Sequence, residues 1–374
     1  TKASHHQARR PMRCRPMLRV VLLAALAPAA TSRFFGLFSA SAPPSAPPSR
    51  EYDYTRSTSE NHAQPDAPLS PTFFSSRAGL DYSWHVRYST QRQALQDSII
   101  REMLAPAQRT ATQPGRRDAP PWALFTAGCM GAGKTHVMVL LDRQDLLSLQ
   151  RFVRIDMDRI REALPETAAY VRLDKRSAGK MTQKEAGAIA EIASEEAFSQ
   201  KLNVWIDSSL QDADWWASEL QRIRRTYPHR LAIVHVTASW PRIQEREARR
   251  GLQTGRRIPP NVLRAVYQKV PASIERLKPH VDEYIEVDND QPRQPRLRSS
   301  DDVRAFLRFA RHVGGGIGGG RMPPGGQGVG SLEMWLPAAF TNPQRRRCAA
   351  HRAPPPSRRT PRRLRRRSCE PTPW

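Results

Sequence analysis

Cysteine is scarce: Cys14, Cys129, Cys348 and Cys369 are the four in 374 residues, with no pairing pattern and no Cys/His spacing suited to zinc. A disulfide scaffold is excluded, and the pattern reads as that of a reducing compartment. No apolar run approaches the roughly 18 residues of a transmembrane helix. Acidic residues are missing altogether from residues 1–50. Across the chain 60 Lys and Arg stand against 35 Asp and Glu, a formal net charge of +25. The excess sits at the ends: residues 1–79 hold 10 basic and 4 acidic side chains, and residues 313–374 hold 12 and 2. Residues 80–312 hold 38 and 29, a balance compatible with folding. Hydrophobic residues make up only 39 % and prolines number 33, above the usual share of about 5 %. One compact domain filling the whole length is therefore excluded. The middle is long enough for a domain with a sizeable core.

Residues 1–84 read as a basic, Ser- and Pro-rich leader and linker. Met17, the apolar run from Val20 to Ala27 and the small residues after it resemble a signal or transit peptide. Localisation is then organellar if that segment targets, and cytoplasmic if it does not. Residues 313–374 pass from glycine clusters through proline to Arg365-Arg366-Arg367. Such composition buries no core and is expected to be disordered. A basic tail of this kind meets nucleic acid or anionic lipid, if at all, through charge alone and without sequence specificity, and a tail with no selected role is the preferred reading.

Between the ends the pattern alternates. Short apolar runs at 122–126, 152–155, 203–206, 231–236 and 284–287 read as strands. Helical spacing marks 93–104, 135–147, 182–200, 213–225, 243–250, 260–277 and 301–311. Alternation of this sort predicts an α/β domain over 85–312, with a mostly parallel five-stranded sheet covered on both faces.

Gly128-Cys129-Met130-Gly131-Ala132-Gly133-Lys134-Thr135 follows the first strand and opens a helix, in the pattern G-x-x-x-x-G-K-[ST]. The glycines Gly128, Gly131 and Gly133, with Ala132 between, let backbone N–H groups converge on phosphate oxygens. Lys134 reaches the outer phosphates, and the Thr135 hydroxyl suits Mg²⁺. The chain has no N-K-x-D run to read guanine, and no apolar run leading into paired acids of the kind an AAA-type machine carries. Asp156 and Asp158 end the second strand, and Asp207 ends the third. Carboxyl ends of strands face the ligand crevice in open α/β sheets. One acid there serves as base for an acceptor hydroxyl and another holds Mg²⁺, for which Asp156 is the candidate. If the strand continues, Asp156 and Asp158 share a face; alternatively Asp158 caps the next helix. Asp207 suits metal or substrate, or a turn. Glu185 is placed to form a capping box with Thr182. Arg246, Arg249, Arg256 and Arg257 surround Gly251 and Gly255, as in a lid that neutralises a transferring phosphoryl group.

Taken in order, Phe125 through Thr135, Arg154-Ile155-Asp156-Met157-Asp158-Arg159, Thr182-Gln183-Lys184-Glu185, Trp205-Ile206-Asp207, and Thr254-Gly255-Arg256 with Pro259 resemble the zeta-toxin family of P-loop kinases. The resemblance runs from Trp122 to Asn289. It implies a three-layer α/β/α P-loop kinase-like fold. Bacterial members phosphorylate the 3′-hydroxyl of the sugar in UDP-N-acetylglucosamine, using ATP or GTP and Mg²⁺. By that resemblance Lys134 clamps phosphate, Asp158 is the base, Glu185 and Asp207 lie near substrate and metal, and Arg246 and Arg256 are the lid arginines. The family's acid at the Asp207 position is commonly Glu, and the spacing between the lid arginines differs, which leaves Arg249 or Arg257 as alternatives. The expected function is an ATP-dependent phosphotransferase acting on a hydroxyl of a small acceptor, such as a nucleotide sugar. A polynucleotide-end kinase and a non-catalytic ATP-binding module are the alternatives.

Overall fold

The computed structural model describes residues 52–112, 120–175, 177–254, 258–291 and 295–313. The leader before residue 52, the tail after residue 313 and the lid residues Gly255, Arg256 and Arg257 lie outside the described residues. In chain order the helices are α1 (Thr58–His62), α2 (Phe74–Ala78), α3 (Thr90–Ala111), α4 (Lys134–Arg143), α5 (Met157–Glu162), α6 (Thr167–Leu173), α7 (Ala178–Met181), α8 (Gln183–Ser199), α9 (Ala213–Thr226), α10 (Trp240–Thr254), α11 (Pro260–Leu277) and α12 (Ser300–Val313). The strands are β1 (Trp122–Ala127), β2 (Phe152–Ile155), β3 (Asn203–Asp207), β4 (Arg230–Thr237), β5 (Glu283–Asp288) and β6 (Arg296–Leu297).

The strands form one sheet in the order β2-β3-β1-β4-β5-β6. The pairs among β1 to β5 are parallel, and β6 adds antiparallel to β5. The expectation of five strands is thus corrected to six among the described residues. A two-residue strand carries no periodicity from which to read it. Every residue of the central β1 is buried, and the period of two splits its side chains between two cores. Ala123, Phe125 and Ala127 join one core with Val204, Leu231 and Ile233. That core is closed by Ile100 and Leu104 of α3, Ile189 and Ile192 of α8, Leu220 and Ile223 of α9, and Val266, Val270 and Ile274 of α11. Trp122 and Leu124 face the other core with Trp205, Ala232, Val234 and Ile285, under Val137, Met138 and Leu141 of α4 and Phe306 and Phe309 of α12. Hence a three-layer α/β/α arrangement. From β1 the chain turns outward to β2 and β3 on one side and then crosses to β4 and β5 on the other. The order reverses at the carboxyl end of β1, where doubly wound sheets place their ligand crevice.

The folded body begins upstream of residue 85, the boundary expected from the sequence. Tyr52 Oη lies 2.8 Å from Tyr170 Oη, Ser76 Oγ donates to Glu196 Oε1 at 2.6 Å, and Arg77 Nη2 pairs with Asp97 Oδ1 at 2.5 Å. Residues 52–80 fold as short turns and five-residue helices, which have no readable period. Within the body, Arg92 of α3 makes deeply buried ion pairs. Its Nε and Nη2 donate to Glu185 at 2.6 and 2.9 Å, and its Nη1 and Nη2 donate to Glu166 at 2.8 and 2.9 Å.

His235 on β4 is 6 % exposed, and its Nδ1 lies 3.0 Å from Tyr284 Oη. Burial, with Lys278 and Arg298 nearby, pushes its pKa from near 6.5 down to about 4. The unfolded chain therefore takes up the proton first, and His235 removes stability as pH falls from 6.5 toward 4. In His235→Phe the slope of unfolding free energy over that window is expected to flatten by up to about 1.4 kcal/mol per pH unit. Urea midpoints of both proteins at pH 7 and pH 4.5 measure this; equal losses on acidification would rule the assignment out.

Candidate active site

The loop between β1 and α4 is shaped by three glycines. Gly128, Gly131 and Gly133 have φ of 137°, 86° and 92°. These values are costly for any residue with a Cβ. At Gly128 space forbids a side chain as well, since a Cβ would stand 2.3 Å from the Val236 carbonyl oxygen. Gly133 caps α4 without a side-chain bond, so the first N–H groups of that helix keep their capacity for an anion. Lys134 folds back over the loop, with Nζ donating to Gly128 O at 3.2 Å. The loop cysteine is packed inward. Cys129 is buried, burial pushes its thiol up to about 11, and Sγ donates to Leu263 O at 3.6 Å.

Thr135 Oγ1 donates to Asp207 Oδ2 at 3.2 Å. The other carboxylate oxygen of Asp207 accepts from Thr126 Oγ1 at 2.9 Å, and Trp205 Nε1 donates to that hydroxyl in turn at 3.3 Å. The carboxylate at the end of β3 is thus aimed from below at the first turn of α4. A hydroxyl and a carboxylate side by side next to a phosphate loop suit Mg²⁺, which takes few protein oxygens and completes its shell with water and phosphates. No cluster of three or more His, Cys, Asp or Glu residues able to hold a metal occurs among the described residues.

Asp156 is engaged elsewhere. It caps α5, accepting from Asp158 N at 3.0 Å and Arg159 N at 3.4 Å, and its Oδ2 pairs with Arg154 Nη2 at 2.6 Å. The strand stops at Ile155, so Asp156 and Asp158 do not alternate on a strand face, and the cap is Asp156 rather than Asp158. Asp158 sits in the first turn of α5 with its side chain 38 % exposed, and Oδ1 accepts from Arg161 Nη1 at 2.7 Å. Arg161 is buried and donates also to Gln183 at the start of α8. Glu185 is fully buried, and beyond Arg92 it accepts from Gln96 Nε2 at 2.8 Å. The capping box with Thr182 does not form: the Thr182 hydroxyl donates to Ala178 O at 3.2 Å.

Arg246 on α10 reaches the phosphate loop. Its Nη1 donates to Gly131 O at 3.3 Å and Ala132 O at 3.1 Å, and its Nη2 donates to Asn289 O at 2.5 Å. The structure therefore gathers Gly128, Gly131, Ala132, Gly133, Lys134, Thr135, Asp207 and Arg246 around one loop. Asp156 and Asp158 stand at the end of β2, with β3 between them and β1. Glu185 lies beneath α3, and Arg256 is outside the described residues. Thr126 and Asn289 belong to this neighbourhood, and Arg92 underlies Glu185, without any motif to announce them. Of the three, only Thr126 carried a signal, as a hydroxyl at the end of the strand that enters the loop.

The fold and the loop at its switch point define a P-loop protein of the kinase-like class. The family model for Zeta toxin matches residues 107–293, half of the chain, and the chain belongs to that family of kinase-like, ATP-using phosphotransferases. Among solved structures, one from the PezAT chromosomal toxin–antitoxin system of Streptococcus pneumoniae is 17 % identical, covering 58 % of this chain and 96 % of that one, with a TM-score of 0.41. The AvrRxo1-ORF1:-ORF2 structure with ATP is 13 % identical, covering 68 % and 82 %, with a TM-score of 0.47. A search of curated proteins gave no match. No helix among the described residues is long and apolar enough to cross a membrane.

Proposed function

We propose that the chain transfers the γ-phosphoryl group of ATP to a hydroxyl of a small acceptor, with a nucleotide sugar such as UDP-N-acetylglucosamine as the first class to test. The observation that carries this reading is the convergence of Lys134, the Thr135–Asp207 pair and Arg246 on one glycine loop. In the proposed reaction the acceptor oxygen forms a bond to the γ-phosphorus while the bond from that phosphorus to the β,γ-bridging oxygen breaks, and ADP leaves. Asp158 takes the proton of the acceptor hydroxyl. Lys134 and Arg246 offset negative charge on the transferring group. Thr135 and Asp207 would hold Mg²⁺, whose charge would neutralise the phosphates. Asp156 acts indirectly, by capping the helix that carries the base. Glu185, with both oxygens engaged by Arg92, supports the acceptor side rather than touching the acceptor.

The test is transfer of label from [γ-³²P]ATP by the full chain with Mg²⁺, against UDP-N-acetylglucosamine, other nucleotide sugars and RNA ends. Label on a sugar, abolished by Lys134→Ala, is the expected result. Label on RNA ends would replace the acceptor class by polynucleotide ends. ATP binding without transfer to any acceptor would leave a nucleotide-binding module.

A further inference from the structure

Asn289 follows β5 and is 1 % exposed. Its backbone N–H donates to Thr237 O at 2.8 Å, and its backbone oxygen accepts from Arg246. Its side chain turns to the phosphate loop, where Nδ2 donates to Ala132 O at 2.7 Å. With Arg246 Nη1 on the same oxygen, the Ala132 carbonyl is held by two donors from two elements outside the loop. That carbonyl precedes α4 and is not part of the helical ladder. Fit is close: a Cβ on Gly133 would stand 2.3 Å from Asn289 Nδ2. Oδ1 of Asn289 is buried without a partner among the described residues. A side chain kept for packing alone would not bury an unsatisfied acceptor.

Peptide geometry gives this contact a consequence. In a planar trans peptide the C=O and the following N–H point in opposite directions. Pinning Ala132 O toward Asn289 therefore turns the Gly133 N–H away from Asn289, toward the side of the loop on which the following helix N-terminus opens. Gly133, at a φ of 92°, admits that orientation. We propose that Asn289 is a positioning residue for nucleotide binding: by fixing the Ala132 carbonyl it aims the Gly133 N–H at the β-phosphate. Arg246 shares the task, so the lid helix and the end of β5 are coupled to the loop through one carbonyl. This inference rests on the nucleotide-binding reading of the loop.

The test compares the full-length wild type with Asn289→Asp, which keeps size but sets an acceptor against the carbonyl, and Asn289→Ala, which only removes the donor. Affinities for adenosine, AMP, ADP and ATP with Mg²⁺ are read by calorimetry, alongside thermal midpoints. ADP and ATP are expected to weaken about tenfold or more in both variants, the scale of one hydrogen bond to a charged group. Adenosine and AMP should hold within about twofold, since the loop amide faces the β-phosphate. Parallel weakening of all four ligands would mark a merely structural residue and overturn the proposal, as would unchanged ADP and ATP affinity in the variants. Lys134→Ala separates the two levels. Wild type that shows no preference for ADP and ATP over AMP, with Lys134→Ala indistinguishable from it, refutes the nucleotide reading and this inference together. A phosphate preference lost in Lys134→Ala but kept in both Asn289 variants refutes this inference alone.

Discussion

Asp158→Asn is expected to lower phosphoryl transfer by about 10²–10⁴-fold, the usual weight of a general base, while ATP affinity stays within about threefold. The two effects separate because the two halves of the site are built on different elements. ATP is assigned to the loop between β1 and α4, where Lys134, Thr135, Asp207 and Arg246 meet. Asp158 stands on the first turn of α5, beyond β3. Asn keeps the shape of the side chain and can still meet Arg161 through its amide oxygen, but it cannot take a proton at neutral pH. Steady-state transfer from labelled ATP, with nucleotide affinity measured in parallel, reads both numbers. Transfer within threefold of wild type in Asp158→Asn would remove the base assignment and leave the rest of the site standing.

Arg92→Ala is expected to cost about 3–5 kcal/mol of stability, the range for removing one partner of a buried ion pair. Marginal stability makes that a large share of the total, which for typical domains is about 5–15 kcal/mol. Glu185 is fully buried and Glu166 is 3 % exposed, and both lose their guanidinium partner at once. The acid side of the stability profile should move as well. Burial alone would raise the Glu166 carboxyl, but donors from His62 and Arg92 outweigh it and hold the group down at about 2. A depressed carboxylate contributes stability that is complete above the ordinary value of 4.5 and is lost as pH falls toward 2. Without Arg92 the folded-state value rises toward the unfolded one, so less stability is left to lose on acidification and the cost of the substitution should be smaller at pH 3.5 than at pH 7. Urea unfolding at pH 7 and pH 3.5 measures both effects. A change under about 0.5 kcal/mol at pH 7, the scale of an ordinary surface substitution, would mean that these buried pairs do not brace α3 against the body.

Local pattern made much of the fold legible. The glycine loop lies between the strand and helix that its mechanism requires, and the bounds of β2 and α11 match their apolar spacing in the sequence. What stayed hidden has long separations or no period. Arg92 meets Glu185 across 93 positions, and nothing near either residue points to the other. Asn289 is a lone amide after a strand, and its role comes from a contact 157 positions away. Asp156 and Asp158 were open to two readings because two acids at a strand end look alike whether the strand continues or a helix begins. The first helical N–H groups decided it by drawing Asp156 into the cap. The resemblance marked Glu185 and left its surroundings blank, since the arginine that engages it lies upstream of the stretch compared.

The two ends of the sheet differ from its centre in a way that bears on association. At one end β2 offers four residues, one of them Arg154, whose guanidinium lies over the Trp205 ring at 4.4 Å. At the other, β6 is two residues long, runs against the grain of its neighbour and carries exposed Arg296. Short, charged margins are poor templates for a foreign strand. A polypeptide that docks by extending the sheet would find too few free backbone groups in register at either margin. A chain that docked on this protein would then meet the helical layers and the loops above the strand ends.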